Sequence, residues 1–175
     1  MNQPEHPAKQ DSTLIYTEYR AFLANFKTVL LASSSADNQP EASYAPYVAV
    51  GHDYYIYVSE LATHTRNLLE TGRCSLLFIE DEANTNNLFA RRRLTFQCTA
   101  TDIGRDSPAA TAILDQFSES FGKFMQLLRT LPDFHLFRLS PQSGNYVAGF
   151  GKAYALSGEG LAEINHRDMR AGKPG

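Results

Sequence analysis

The chain has 175 residues, 43% hydrophobic and 20% charged, enough for one domain with a sizeable core and too few for two comfortable ones. A formal net charge of −3 excludes the basic field that gathers nucleic-acid phosphates, and no apolar run approaches membrane-spanning length. Two cysteines, Cys74 and Cys98, each in an apolar strand-like run, are too few for a disulfide framework or a zinc site and read as buried thiols. The polar stretch 1–11 has no signal-peptide core, so the expected location is the cytoplasm.

In chain order, residues 1–11 are expected to be a disordered leader. From Ser12, with Ser12 or Thr13 as N-cap, Leu14, Ile15, Tyr19, Phe22, Leu23 and Phe26 recur at helical spacing and predict an amphipathic helix of about three turns. Strands are expected over 28–33 and 41–50, joined as a hairpin through the turn at 36–40. Gly51-His52-Asp53 turns the chain into a strand over 54–59, rich in aromatic and β-branched residues. Residues 63–71 predict a short helix closed by Gly72. A buried strand over 75–79 and an acidic, Asn-rich loop over 80–87 follow. Leu94, Phe96, Cys98 and Ala100 then alternate with Thr95, Gln97, Thr99 and Thr101, the clearest period of two in the chain.

Ser107 and Pro108 mark the N-cap and first position of a helix whose apolar face is Ile113, Leu114, Phe117 and Phe121. A bent second segment continues past Gly122 and stops at Pro132. Strands over 134–140 and 145–156 are expected as a last hairpin around 141–144. Neighbouring antiparallel strands of this length close into a small barrel, so the fold class is mainly β with flanking helices. The aromatic surplus, eleven Phe and nine Tyr, is expected to cover a dimer interface as well as a core.

Three stretches carry chemistry. Tyr146 to Tyr154 reads as a strand with Gly149, Phe150 and Gly151 in its interior, where glycine marks a bulge or the close approach of a backbone or a flat ligand. Tyr154 stands where a dinucleotide fingerprint needs its third glycine, and no helix follows, so that motif is rejected. Arg91-Arg92-Arg93 reads either as a charged strand edge that blunts aggregation or as an anion site. In the second reading guanidinium forks, with Lys27, Thr28, Ser43 and Tyr44, take a carboxylate or a phosphate.

Among five histidines, His6 and His52 read as surface residues and His135 as a strand residue on the face opposite Phe134 and Leu136. His64 begins a short helix near Arg66, and His166 falls in a short, loosely patterned tail. Asp133, set behind Pro132, is a fixed carboxylate of the kind that orients a metal-binding imidazole. No His-Glu-x-x-His, Gly-x-Ser-x-Gly or P-loop occurs, which removes the usual support for zinc-hydrolase, serine-hydrolase and nucleoside-triphosphatase readings.

Taken in order, Ser43-Tyr44-Ala45-Pro46-Tyr47, Ile79-Glu80-Asp81-Glu82-Ala83, Phe89-Ala90-Arg91-Arg92-Arg93-Leu94-Thr95-Phe96, Asp133-Phe134-His135-Leu136-Phe137-Arg138-Leu139 and Gly149-Phe150-Gly151-Lys152-Ala153-Tyr154 resemble the HugZ/HutZ heme-utilization family. That family sits within the pyridoxamine-phosphate-oxidase-like group of FMN-binding split barrels. The resemblance implies an antiparallel split β-barrel, homodimeric, over residues 12–157, with 158–175 as a tail bearing the iron ligand. It implies b-type heme bound between protomers and opened oxidatively to a bilin with release of iron. It leaves the electron donor and any heme-delivery partner open.

By position, the resemblance makes Asp133 the aspartate that bonds the ligand histidine from the other protomer, and it places Arg91, Arg92 and Arg93 near the heme. His64 matches a family histidine, and Gly149, Phe150 and Gly151 match the strand lying against the porphyrin. Relatives carry the ligand in a Gly-His pair near the C-terminus; here 170–175 hold no histidine, and His166 is the candidate metal ligand. Cys-x-x-Cys-His is absent, which excludes covalent heme attachment. Two further readings stand beside the oxygenase: an FMN-dependent oxidoreductase holding the flavin phosphate through the arginines, and a non-enzymatic heme store or carrier.

Overall fold

A computed structural model describes residues 8–167. Helix α1 (Ala8–Leu23) is followed by strands β1 (Thr28–Ser34), β2 (Pro40–Val50) and β3 (Asp53–Ser59), helix α2 (Thr63–Thr71) and strand β4 (Arg73–Ile79). Strand β5 (Arg93–Asp102), helices α3 (Pro108–Phe121) and α4 (Phe124–Leu128), and strands β6 (Phe134–Gly149), β7 (Lys152–Ser157) and β8 (Glu163–His166) complete the order. The strands lie in the order β3-β2-β1-β4-β5-β6-β7-β8, and a further β3–β6 pairing closes the first six into an antiparallel barrel. Among the described residues no helix is long and apolar enough to cross a membrane.

Two compact units share these strands. One takes Lys27–Leu77 and Phe96–Pro141; the other takes the chain up to Phe26, Phe78–Thr95, and everything from Gln142 on. In the first, which holds β1 to β3, period-two burial is plain: Val29 and Leu31 point inward while Leu30 points out. Helix α2 ends where Gly72 takes φ +62, a left-handed conformation that glycine adopts without a Cβ penalty, and its N–H closes on the Leu68 carbonyl. Helix α3 starts as its sequence dictates, with the Ser107 hydroxyl accepting from the Ala110 N–H and Pro108 in the first turn. Its buried face, Ala110, Ile113, Leu114 and Phe117, packs with Val48, Tyr57, Met125 and Leu136.

In the second unit α1 buries Tyr19, Phe22 and Leu23. Tyr19 and Phe22 each stand 6.1 Å from the ring of Tyr146, itself fully buried. The Tyr19 hydroxyl donates to the Leu161 carbonyl at 3.3 Å, and the Tyr146 hydroxyl to Glu18 Oε1 at 2.8 Å. Burial and the Glu18 carboxylate both push the Tyr146 phenol well above its ordinary value.

Four expectations change. The first helix begins at Ala8, so neither Ser12 nor Thr13 is its N-cap; residues 1–7 of the expected leader lie outside the described residues. The expected turn at 141–144 does not exist, because β6 runs unbroken for 16 residues. Its first part pairs with β3 as far as Leu139 and its last part with β7 from Gly144 on, so Pro141 sits where the strand changes partners and no N–H is required of it on that side. The real turn is Phe150-Gly151, flanked by the pair Gly149↔Lys152, with a bulge between Val147 and Gly149. The glycines are therefore at a hairpin tip, where Gly151 supplies φ +71, and not in a strand interior. Finally, His166 lies on a strand: β8 pairs with β7 in the register Tyr154↔His166 to Ser157↔Glu163. Residues 170–175, whose lack of histidine singled out His166, lie outside the described residues.

Candidate functional site

The sequence-selected residues fall into four local groups. The first is a cleft of about 850 Å³, walled by Phe22, Asn25 and Phe26, by Ile79, Glu80, Asp81, Glu82 and Asn84, and by Arg91 and Arg92. Here β4 delivers the acidic loop and the approach to β5 delivers the arginines. Arg92 stands 3.0 Å from Glu80 Oε1, and its guanidinium carbon lies 4.7 Å over the Phe22 ring. Arg91 donates from Nε to the Glu80 carbonyl at 2.5 Å and pairs with Glu82 Oε1 at 2.9 Å. Arg93 instead turns back onto the Arg91 carbonyl at 2.9 Å. Two of the three arginines thus line the cleft, each already engaged by a carboxylate. Glu80, Phe22 and Asn25 were missed as site residues; Glu80 was legible only as an acidic run, with no signal that it meets Arg92.

The second group is the β6–β7 hairpin tip with β8. Phe150 is 84% exposed there. The His166 Nε2 lies 3.0 Å from the Gly151 carbonyl, and its ring meets Tyr154 edge-on at 5.3 Å. A carbonyl only accepts, so Nε2 carries a proton, and in the neutral tautomer that fits this bond the lone pair is at Nδ1. This is the arrangement in which one imidazole nitrogen is fixed by a backbone carbonyl and the other is free to ligate.

The third group sits under α2. His64 is buried, with Nδ1 3.0 Å from Ser43 Oγ, and the Ser43 hydroxyl donates its own hydrogen bond to the Leu31 carbonyl. His64 therefore donates from Nδ1, and its Nε2 is a buried acceptor with no partner among the described residues. Burial lowers its pKa below the ordinary value, a shift that the charge of Glu41 opposes. Thr28 lies on the outward side of the neighbouring hairpin, paired with Pro46 in the same exposed row as Leu30, Tyr44, Ala32 and Ala42.

The fourth group holds Asp133, half-buried at the head of β6. Its Oδ2 accepts from Ser59 Oγ at 2.5 Å, and its carbonyl accepts from the Glu60 N–H at 2.8 Å. Asp133 and His166 belong to different units. Cys74 and Cys98 face one another: the Gly72–Ala100 and Glu80–Arg92 backbone bonds set a register that puts them opposite on β4 and β5, and both are free thiols.

Residues 15–148 match the family model described as pyridoxamine 5'-phosphate oxidase. The heme oxygenase HutZ of Vibrio cholerae is 41% identical over 149 residues, covering 85% of this chain and 85% of that protein. A crystal structure of HutZ, described as the heme storage protein of Vibrio cholerae, matches with a TM-score of 0.69 at 40% identity, over 72% of this chain and 89% of that one. The structure of Campylobacter jejuni ChuZ gives a TM-score of 0.79 at 28% identity, over 89% of this chain and 63% of that one. By the family model, the identity and these structural matches, the chain belongs to the HugZ/HutZ family within the pyridoxamine 5'-phosphate oxidase-like split-barrel group.

Proposed function

We propose that this protein binds heme and opens it oxidatively to a bilin, releasing iron. The observation that carries the reading is the 41% identity to a heme oxygenase across 85% of both chains. The local chemistry suits such a substrate. His166 offers a neutral imidazole oriented by the Gly151 carbonyl, Phe150 and Tyr154 offer aromatic surface beside it, and Arg91 and Arg92 offer guanidinium forks for propionates. In this reading His166 is the iron ligand through Nδ1, and in the dimer the Asp133 carboxylate of the second protomer takes the place of the Gly151 carbonyl as acceptor of its Nε2–H; electron density pushed onto the imidazole strengthens its donation to iron. Oxygen and an external reductant supply the oxidising and reducing equivalents.

The homodimer this requires is supported by the outward face of the β1–β2 hairpin. There Leu30, 46% exposed, and Tyr44, 64% exposed, form an apolar row with Ala32, Ala42 and Pro46 around Thr28. Tyr44→Glu should convert the dimer to a monomer in analytical ultracentrifugation.

Hemin titration is the first test: a protein-bound Soret band is expected, and His166→Ala should abolish its ligated form. A purified yellow protein with bound FMN and no Soret band would instead support the flavin reading that the family model allows. Ascorbate in air then separates enzyme from store, a reading favoured by the description of HutZ as a storage protein. Loss of the Soret band with bilin and free iron is the expected result; a stable band would sink the oxygenase.

A further inference from the structure

Three strand ends meet at His135, a residue the site above leaves unused. The chain turns at Glu60 after β3, β5 ends at Asp102, and β6 begins just after Asp133. His135 Nδ1 is 2.7 Å from Asp102 Oδ2, and its Nε2 is 2.9 Å from Glu60 Oε1. A carboxylate only accepts and a neutral imidazole carries one N–H, so both bonds coexist only on the imidazolium. The corner so braced also fixes Asp133. Glu60 donates its N–H to the Asp133 carbonyl, and Ser59, one residue earlier, donates its hydroxyl to the Asp133 carboxylate. Glu60 thus holds Asp133 by its backbone while His135 holds Glu60 by its side chain.

The other charges around this corner are accounted for. Arg105 and Asp106 line the same pocket of about 320 Å³, but the Arg105 guanidinium is committed to the carbonyls of Leu131 and Arg129, with Asp106 3.8 Å from its Nε. The Phe137 ring lies 6.0 Å from the imidazole in a stacked orientation.

We propose that His135 is a positioning residue for Asp133: as the imidazolium it ties Glu60 to Asp102, and the turn held in this way fixes the Asp133 carboxylate. The proposal rests on the role given to Asp133 above. Burial disfavours the charged ring, but hydrogen bonds to Asp102 and Glu60 and their charges outweigh it, so His135 titrates above its ordinary value. Above that point one carboxylate meets a lone pair and lets go, and the hold on Asp133 weakens as pH rises.

The test compares the full-length chain with His135→Gln and Glu60→Gln. Carbon-13 NMR of the aspartate carboxyls, with Asp133 identified from Asp133→Asn, reads the position without heme. In the wild type the Asp133 signal should step at the pH where His135 titrates. The step should vanish in His135→Gln. It should shrink in Glu60→Gln, whose amide N–H can donate to the neutral ring and keep the bridge. With hemin and ascorbate, single-turnover bilin formation in the wild type should fall about tenfold across the same step, the scale of a small misplacement of a reacting group, while His135→Gln runs at the low rate throughout. An Asp133 signal that keeps its step in His135→Gln would overturn the proposal. A wild type that forms no bilin would defeat the heme reading alone, and the Asp133 signal would still decide the role of His135.

Discussion

The arginine cleft and the His135 corner both hold cations between carboxylates, yet they respond to different variables. In the cleft Arg91 and Arg92 face Glu82 and Glu80 at 2.9 and 3.0 Å; a guanidinium stays charged at any physiological pH, so only a competing anion changes this pairing. At the corner His135 faces Glu60 and Asp102 at 2.9 and 2.7 Å, and loss of one proton undoes half the arrangement without any ligand. Similar distances therefore describe a site switched by ligand and a site switched by pH. The cleft also has an apolar floor in Phe22 and Phe26, whereas the corner has Pro132, Phe134 and the Phe137 ring beside it.

The largest effect should come from removing that floor. Phe22 is buried, meets Phe26 edge-on at 4.9 Å and carries the Arg92 guanidinium on its face. Phe22→Ala should cost about 3–5 kcal/mol by urea unfolding, as large-to-small changes of buried aromatics do. Phe22→Leu keeps most of the volume and isolates the cation–π part, a loss of about 0.5–1 kcal/mol at so shallow a site. A Phe22→Leu variant as stable as the wild type would show that the ring supports nothing but its own burial.

Glu80→Gln is the next step down. Both partners of the Glu80–Arg92 pair are partly exposed, so stability should fall by about 0.5–1 kcal/mol or less, and equally across neutral pH. Freeing Arg92 should at the same time tighten binding of a dicarboxylate such as hemin, read as a lower dissociation constant in a Soret titration. Weaker hemin binding in Glu80→Gln would mean that Glu80 helps hold the ligand instead of competing with it.

How much of this was legible follows from how local each feature is. Gly72, Ser107 and Pro108 act within one helical turn, and the structure uses each as the sequence suggests. Alternation along β5 likewise predicted Leu94, Phe96 and Cys98 as buried. Strand β6 misled because Pro141 and Gly144 imitate a turn, when they mark a change of partner inside a strand longer than usual. The same error moved Gly149 and Gly151 into a strand interior. Strand β8, four residues with no buried face, has no period to detect. The arginines could be named as an anion site, but their engagement by Glu80 and Glu82 depends on how β4 meets β5. The partners of His135 lie 33 and 75 residues away, and nothing in its neighbourhood announces them.

The smallest predicted effect is an opposition between two histidines. His135 has its pKa raised, so its contribution is present in full below the unfolded value and is lost as pH rises through the folded one. His64 is the reverse. Burial lowers its pKa, so it costs nothing above the unfolded value and destabilises as pH falls below it. The two slopes have opposite signs and lie on either side of the unfolded value, so the wild-type stability curve should pass through a shallow maximum near the ordinary histidine value, changing by about 1 kcal/mol or less on each side. Removing one histidine at a time uncovers the other. His135→Gln should be most destabilised below the ordinary histidine value and approach the wild type as pH rises through the raised one. His64→Gln, by contrast, should lose the acid-side decline, with any fixed packing cost independent of pH. Parallel curves for the two variants would mean that neither ring is held in the charge state its surroundings dictate, and the contrast between a desolvated histidine and a carboxylate-flanked one would fail with them.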